Sequence, residues 1–138
     1  MSPLDLIHVA LIGALASGLA AIGADRHALW RLAGFGLLAV SGGAALVAGV
    51  WVLVGAVPVT AQLPLGLPWL PWHLRLDALS GLFLAIIGLL VFVISLYAPA
   101  YIRAYQHGKN RPSLVVLGLF TALFVLGMYL VVLADDAF

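Results

Sequence analysis

The sequence has no cysteine and no glutamate, and only 8% of its 138 residues are charged. Without cysteine there are no disulfides, no thiolate-bound metals, no haem attached through Cys and no iron–sulfur clusters. Soluble domains carry roughly a quarter charged residues. The shortage of charge, set beside 65% hydrophobic residues and a mean hydropathy of +1.23, therefore excludes an ordinary soluble domain and marks an integral membrane protein. The few Lys and Arg residues are dispersed and make no basic face, which excludes nucleic acid as a partner. No phosphate loop, nucleotide fingerprint or Ser-His-Asp arrangement is present. His8, His27, His73 and His107 do not have metal-ligand spacing. The residues thus offer no catalytic centre, no cofactor site and no metal site.

What the chain does have is four apolar runs, each close to or above the about 20 residues that a helix needs to cross the hydrocarbon. They cover about 4–23, 32–57, 78–97 and 114–133. The expectation is an all-α integral membrane protein with four transmembrane helices, residues 1–138 forming a single membrane domain. The first run lacks the basic leader of a signal peptide and carries Asp5 instead, so it reads as a retained helix. The second is longer than a span requires, which implies tilt. The connections fall at 25–31, 58–77 and 98–113.

Charge sets the expected orientation. The first and third connections hold Arg26, Arg31, Arg103, Lys109 and Arg111, whereas the opposite side has Arg75 as its one basic residue. By the positive-inside rule the basic side is cytoplasmic. Both termini then face outward, in keeping with Asp135 and Asp136 near the C-terminus.

Small residues recur every fourth position at Gly13, Ser17 and Ala21, and again at Ser41, Ala45 and Gly49. Such stripes let helix backbones approach closely in lipid. Structural packing is the plain reading, and a thin-walled path for ions or lipid the sharper one. In the second connection Pro58, Pro64, Pro68 and Pro71 rule out a helix. Residues 59–63 and 72–77 alternate in polarity, which predicts two short strands turning over 65–67. Trp69 and Trp72 suit the membrane interface. The segment is expected as a short extracytoplasmic β-hairpin or an irregular loop with the same Trp anchors. Asp77, with Ser80 three residues on, reads as the N-cap of the third helix. At that helix's other end Tyr97, Tyr101 and Tyr105 form one aromatic ridge at headgroup level. Pro99 is expected to kink or end the span, with the residues after it lying along the interface. A lipid or partner-subunit contact is the functional alternative for that ridge.

Glutamate's absence matters again for transport. Proton carriers keep ionisable groups at membrane depth. Here Asp5, Asp25, Asp77, Asp135 and Asp136 all fall at helix ends or in connections, and Lys109 lies in a connection. Ser41, Ser80, Ser95 and Thr121 read as packing hydroxyls rather than as the lining of a wet cavity. No proton relay is visible.

The stretch LPWHLRLDALSGLFLAIIGLLVFVISLYAPAYI, with Asp77-Ala-Leu-Ser80 opening a span and Tyr97…Tyr101 ending it, resembles the N-terminal region of a known family. So does LFTALFVLGMYLVVLADDAF, Leu119 to Phe138. The family is that of the antiporter-like membrane subunits of respiratory complex I, of the hydrogenase-4 and formate hydrogenlyase complexes and of multisubunit sodium/proton antiporters. Short connections and abundant Ala, Gly and Leu look most like the component B members of hydrogenase-4. The resemblance covers most of residues 55–138. It implies a longer subunit whose next helix carries an embedded Glu in a Trp-Glu context and a later helix a Lys, the residues credited with moving protons. Neither position exists in this sequence, which stops at Phe138 where that next helix would begin. The expected role is therefore a structural N-terminal module of a proton- or sodium-translocating subunit in a redox-driven complex of a bacterial or archaeal inner membrane. Its partners would be the other membrane subunits and the bilayer, and the redox chemistry would sit elsewhere. The chain would be a fragment, a split subunit or a peripheral helical piece. Two alternatives remain at this point: a small four-helix transporter working as a homodimer, and an assembly or scaffold protein without transport.

Overall fold

Ser2 starts the first helix. A computed structural model describes residues 2–55, 58–67, 70–105 and 113–134. In it the Ser2 hydroxyl accepts the Asp5 N–H at 3.2 Å, and the Asp5 carboxylate accepts the Ser2 N–H at 2.7 Å. This reciprocal cap, with Pro3 in the first turn, opens α1 (Pro3–Ala21). Then follow α2 (Ala28–Gly55), the strands β1 (Val59–Leu67) and β2 (Leu70–Leu76), α3 (Ala78–Tyr105) and α4 (Leu114–Leu133). All four helices are long and apolar enough to cross a membrane. The molecule is an integral membrane protein, with four such helices among the described residues and an antiparallel hairpin between the second and third.

The boundaries differ from expectation where apolarity and helicity part company. α2 begins at Ala28, not at residue 32, so Arg31 lies within its first turn. A long cationic side chain reaches water from there while its stem stays in the apolar layer. α3 runs on to Tyr105 with Pro99 inside it, instead of stopping at residue 97. Proline removes only one backbone bond, the one to the Ser95 carbonyl, and neighbouring groups in a bundle tolerate that loss. At 28 residues each, α2 and α3 are about 42 Å long, against a hydrocarbon core of about 30 Å. Their ends therefore enter the headgroup layers.

The hairpin is also longer than its polarity pattern suggests. β1 continues through Leu67, so residues 65–67 are strand and not the turn. Leu63 pairs with Trp72 and Gly66 with Pro71, and the register slips between them. That irregularity absorbs Pro64, which has no N–H to donate to a ladder. Trp69 lies outside the described residues, as do His107, Lys109, Arg111, Asp135 and Asp136. The hairpin sits at the bundle end that carries the start of α1, with β1 touching α1 and β2 touching α3 and α4. Leu76 is buried in the main core.

The helices pack as an antiparallel series. α2 lies against α3 and against α1, α1 lies against α4, and α3 and α4 meet only slightly. Glycine decides how close these pairs come. A Cβ placed on Gly42 would stand 2.6 Å from the Phe92 nitrogen, and one on Gly49 would stand 2.5 Å from the Gly81 oxygen. One on Gly88 would collide with the Leu46 nitrogen. Gly42 and Gly49 on α2, and Gly81 and Gly88 on α3, each repeat at seven residues, two turns of helix. The stripes at Gly13 and Ser41 meet likewise, a Gly13 Cβ falling 3.1 Å from the Ser41 Cβ. Between α1 and α4, a Gly118 Cβ would be 2.6 Å from the Ala21 Cβ.

This geometry separates glycines by consequence. Gly88→Val and Gly49→Val are expected to lower stability in detergent by about 1–3 kcal/mol or more, because backbone must give way. Gly36→Ala, with open space around it, is expected to be neutral or to stabilise by up to about 1 kcal/mol. Equal behaviour of the three in an SDS-titration unfolding assay would contradict the close-approach reading.

Candidate functional site

Three hydroxyls within the bundle donate to backbone carbonyls. Ser41 donates to the Ala10 carbonyl at 2.6 Å, joining α2 to α1 in the buried interior. Ser95 donates to Val91, and Thr121 to Leu117 at 2.7 Å, each one turn back on its own helix. Ser80 belongs to a helix start. Its N–H donates to Asp77 Oδ1 at 2.8 Å and its hydroxyl to the same oxygen at 3.0 Å. Asp77 thereby caps α3, and these two bonds hold its carboxyl below the ordinary carboxylate range. The four hydroxyls do not converge on one cavity.

Tyr129 is the large polar side chain that sequence patterning passes over. It is fully buried, in a core to which all four helices contribute. Its hydroxyl turns toward Ser41 without reaching hydrogen-bond geometry and has no partner among the described residues. The signal was present: Ala122, Val125, Tyr129 and Leu133, all buried, follow the three- and four-residue spacing of one helical face. α4 is nevertheless the least buried helix of the four, and Tyr129 is its main purchase on the core.

Asp25 makes the second tie that chain order hides. From the α1–α2 connection its carboxylate accepts the Leu114 N–H at 2.9 Å and the Ser113 hydroxyl at 3.0 Å. Ser113 itself accepts the Val116 N–H. The first turn of α4 thus has two side-chain acceptors, one of them charged and placed at the positive end of the helix dipole.

The remaining sequence candidates do not form a centre. Tyr97 and Tyr101 are exposed, with ring centroids 6.0 Å apart and planes tilted by 37°. Tyr105 ends α3 and Trp72 lies in β2, but their side chains are outside the described set, and Trp69 is wholly outside it. His8 is exposed, with Nδ1 2.8 Å from the Leu4 carbonyl. Asp5, His8, Arg31 and Arg103 lie in the helices, each within two turns of an end. Among the described residues, no three His or Asp side chains come together to hold a metal ion. What the arrangement can do is hold helices in register. Among the described residues, the Asp, His and Arg side chains within the spans all lie near helix ends.

No family model matches the chain. Over its whole length the chain is 33% identical to hydrogenase-4 component B of Escherichia coli (strain K12), in an alignment of 141 residues. It spans only a fifth, 20%, of that protein's length. The likeness to the antiporter-like subunits is therefore distant and partial.

Substitutions at three residues test this account. Asp25→Ala is expected to cost about 1 kcal/mol by stripping a cap from α4. Tyr129→Phe is expected to leave stability unchanged or raise it by about 1 kcal/mol, since an unpaired buried hydroxyl is lost, whereas Tyr129→Ala is expected to cost about 3–5 kcal/mol. A large loss from Tyr129→Phe would show that the hydroxyl is bonded. For Asp77 the folded pKa is depressed, so its contribution is present above the ordinary 3.8 and fades as pH falls through the lower folded value. Asp77→Asn should flatten the acid limb of an unfolding-versus-pH curve.

Proposed function

We propose that this chain is a structural helical module of an ion-translocating subunit in a redox-driven membrane complex related to membrane-bound hydrogenases. It would correspond to the N-terminal helices of an antiporter-like subunit. Its work is to flank the helices that conduct protons or sodium ions and to dock on neighbouring membrane subunits. The observation that carries this reading is the similarity of the whole chain to a fifth of hydrogenase-4 component B. Two features support it. The described spans carry Asp5, His8, Arg31 and Arg103 only near their ends, which suits a module beside a conduction path rather than on one. The outer sides of α3 and α4 expose Phe83, Ile86, Leu90, Phe120, Phe124 and Val131, surfaces suited to lipid or to further helices.

In this reading Arg26, Arg31 and Arg103 face the cytoplasm, while Arg75, the hairpin and the start of α1 face the opposite side. The protein belongs in the plasma membrane, and electron transfer occurs in other subunits.

Three measurements test the proposal. Vesicles reconstituted with this chain alone are expected to collapse an imposed pH gradient no faster than protein-free vesicles. Rapid collapse would overturn the non-conducting role. Purified from native membranes, the protein is expected in fixed stoichiometry with hydrogenase or dehydrogenase subunits. A cysteine in place of Ser2 is expected to react with an impermeant thiol reagent from the extracytoplasmic side, and exclusive labelling from the cytoplasm would invert the orientation.

A further inference from the structure

At the end of the bundle opposite the hairpin, α1 finishes with Leu19 and Ile22 exposed, and the connection into α2 brings Arg26, His27 and Trp30 above them. With Gly23, these residues line an open cavity of about 450 Å³. That volume is within the range of about 300–1,000 Å³ typical of small-ligand sites. Leu19 and Ile22, 69% and 57% exposed, give it an apolar side, and Arg26 and His27 join the lining from the connection beyond the end of α1.

Two details give the cavity a defined shape and charge. The Trp30 indole rests against Gly23, where an added Cβ would stand 2.7 Å from the ring. Glycine is thus what lets the indole settle into the cavity wall. The neighbouring carboxylate, Asp25, is committed to the N-terminus of α4 through both oxygens. It is not one of the lining residues, and its oxygens are bonded to the start of α4 rather than turned into the cavity.

We propose that this cavity binds an anionic glycerophospholipid drawn from the surrounding bilayer. Arg26 and His27 take the phosphodiester, Arg26 through the forked donors that match phosphate oxygens. Trp30 sits at the glycerol level, the depth that tryptophan prefers in a bilayer. An acyl chain runs along Leu19 and Ile22. The fit rests on charge complementarity and on the order of the lining residues, which runs from cation to indole to aliphatic side as a phospholipid runs from phosphate to glycerol to chain. Basic pockets beside transmembrane helices recognise anionic headgroups on these grounds.

The test uses the full chain purified in mild detergent, with dioleoylphosphatidylglycerol or dioleoylphosphatidylcholine added at equal concentration and retained lipid counted by native mass spectrometry. Phosphatidylglycerol is expected to be retained in preference to phosphatidylcholine. Arg26→Gln is expected to reduce that retention about fivefold, the effect of one surface cation on anionic lipid. His27→Gln combined with it should reduce retention further. Gly23→Val should also weaken retention, with every charge intact, by displacing Trp30. Arg75→Gln, at the other end of the bundle, should leave it unchanged. Equal retention of the two lipids by the unaltered chain would overturn the proposal without recourse to any variant. So would an equal loss from Arg75→Gln, or displacement of the lipid by sn-glycerol 3-phosphate at matched concentration, which would mark a phosphate site indifferent to the chain.

Discussion

Lipid tails are as apolar as leucine, so pressing two leucine-faced helices together in a bilayer gains little over leaving them apart. What holds this bundle is the approach of bare backbone to bare backbone along α2 and α3. Gly42 and Gly49 face Gly88 and Gly81, so the helix surfaces there are peptide groups rather than side chains. Dispersion between atoms at such range is small singly and substantial when repeated along a helix. The rest is built outward from that pair: α1 is laid on α2 where Gly13 meets Ser41, and α4 on α1 where Gly118 meets Ala21.

Hydrogen bonds then correct what packing leaves loose. α4 is a nearly uniform apolar cylinder, so lipid does little to prefer one of its faces over another. Tyr129 and the Asp25 cap give it a rotation and a height, one from inside the core and one from the headgroup layer. Ser41 does the same for α1 and α2 by bonding the Ala10 carbonyl. The polar atoms of the spans therefore act as register marks, and the ionisable ones are kept at the ends, where water and headgroups solvate them at little cost.

Much of this was legible in the residues. The four spans, the hairpin and the capping role of Asp77 follow from apolar length, proline spacing and the Asp-x-x-Ser pattern, all of which are local. The ends of α2 and α3 were misplaced because apolar runs report the depth of the hydrocarbon, while helices stop where their backbone bonds stop. Arg31 and Pro99 look like boundaries to the first criterion and are interior to the second. The small-residue stripes were visible and include Gly49, yet Gly42 and Gly88, which approach backbone just as closely, lie outside them in a sequence with 15 glycines to choose from. Asp25 was unreadable for a different reason: its partners are 88 and 89 positions away, and no periodicity spans that gap.

That long gap has a meaning in time as well as in space. A ribosome adding about 5–20 residues per second finishes Ser113 only some 4–18 s after Asp25, for the 88 positions between them. During that interval α1, α2, the hairpin and α3 can already have entered the bilayer, while the carboxylate waits at the headgroup surface with nothing to cap. α4 is thus received by a side chain made well before it, and the tie between the α1–α2 connection and α4 cannot close until Ser113 and Leu114 have been added.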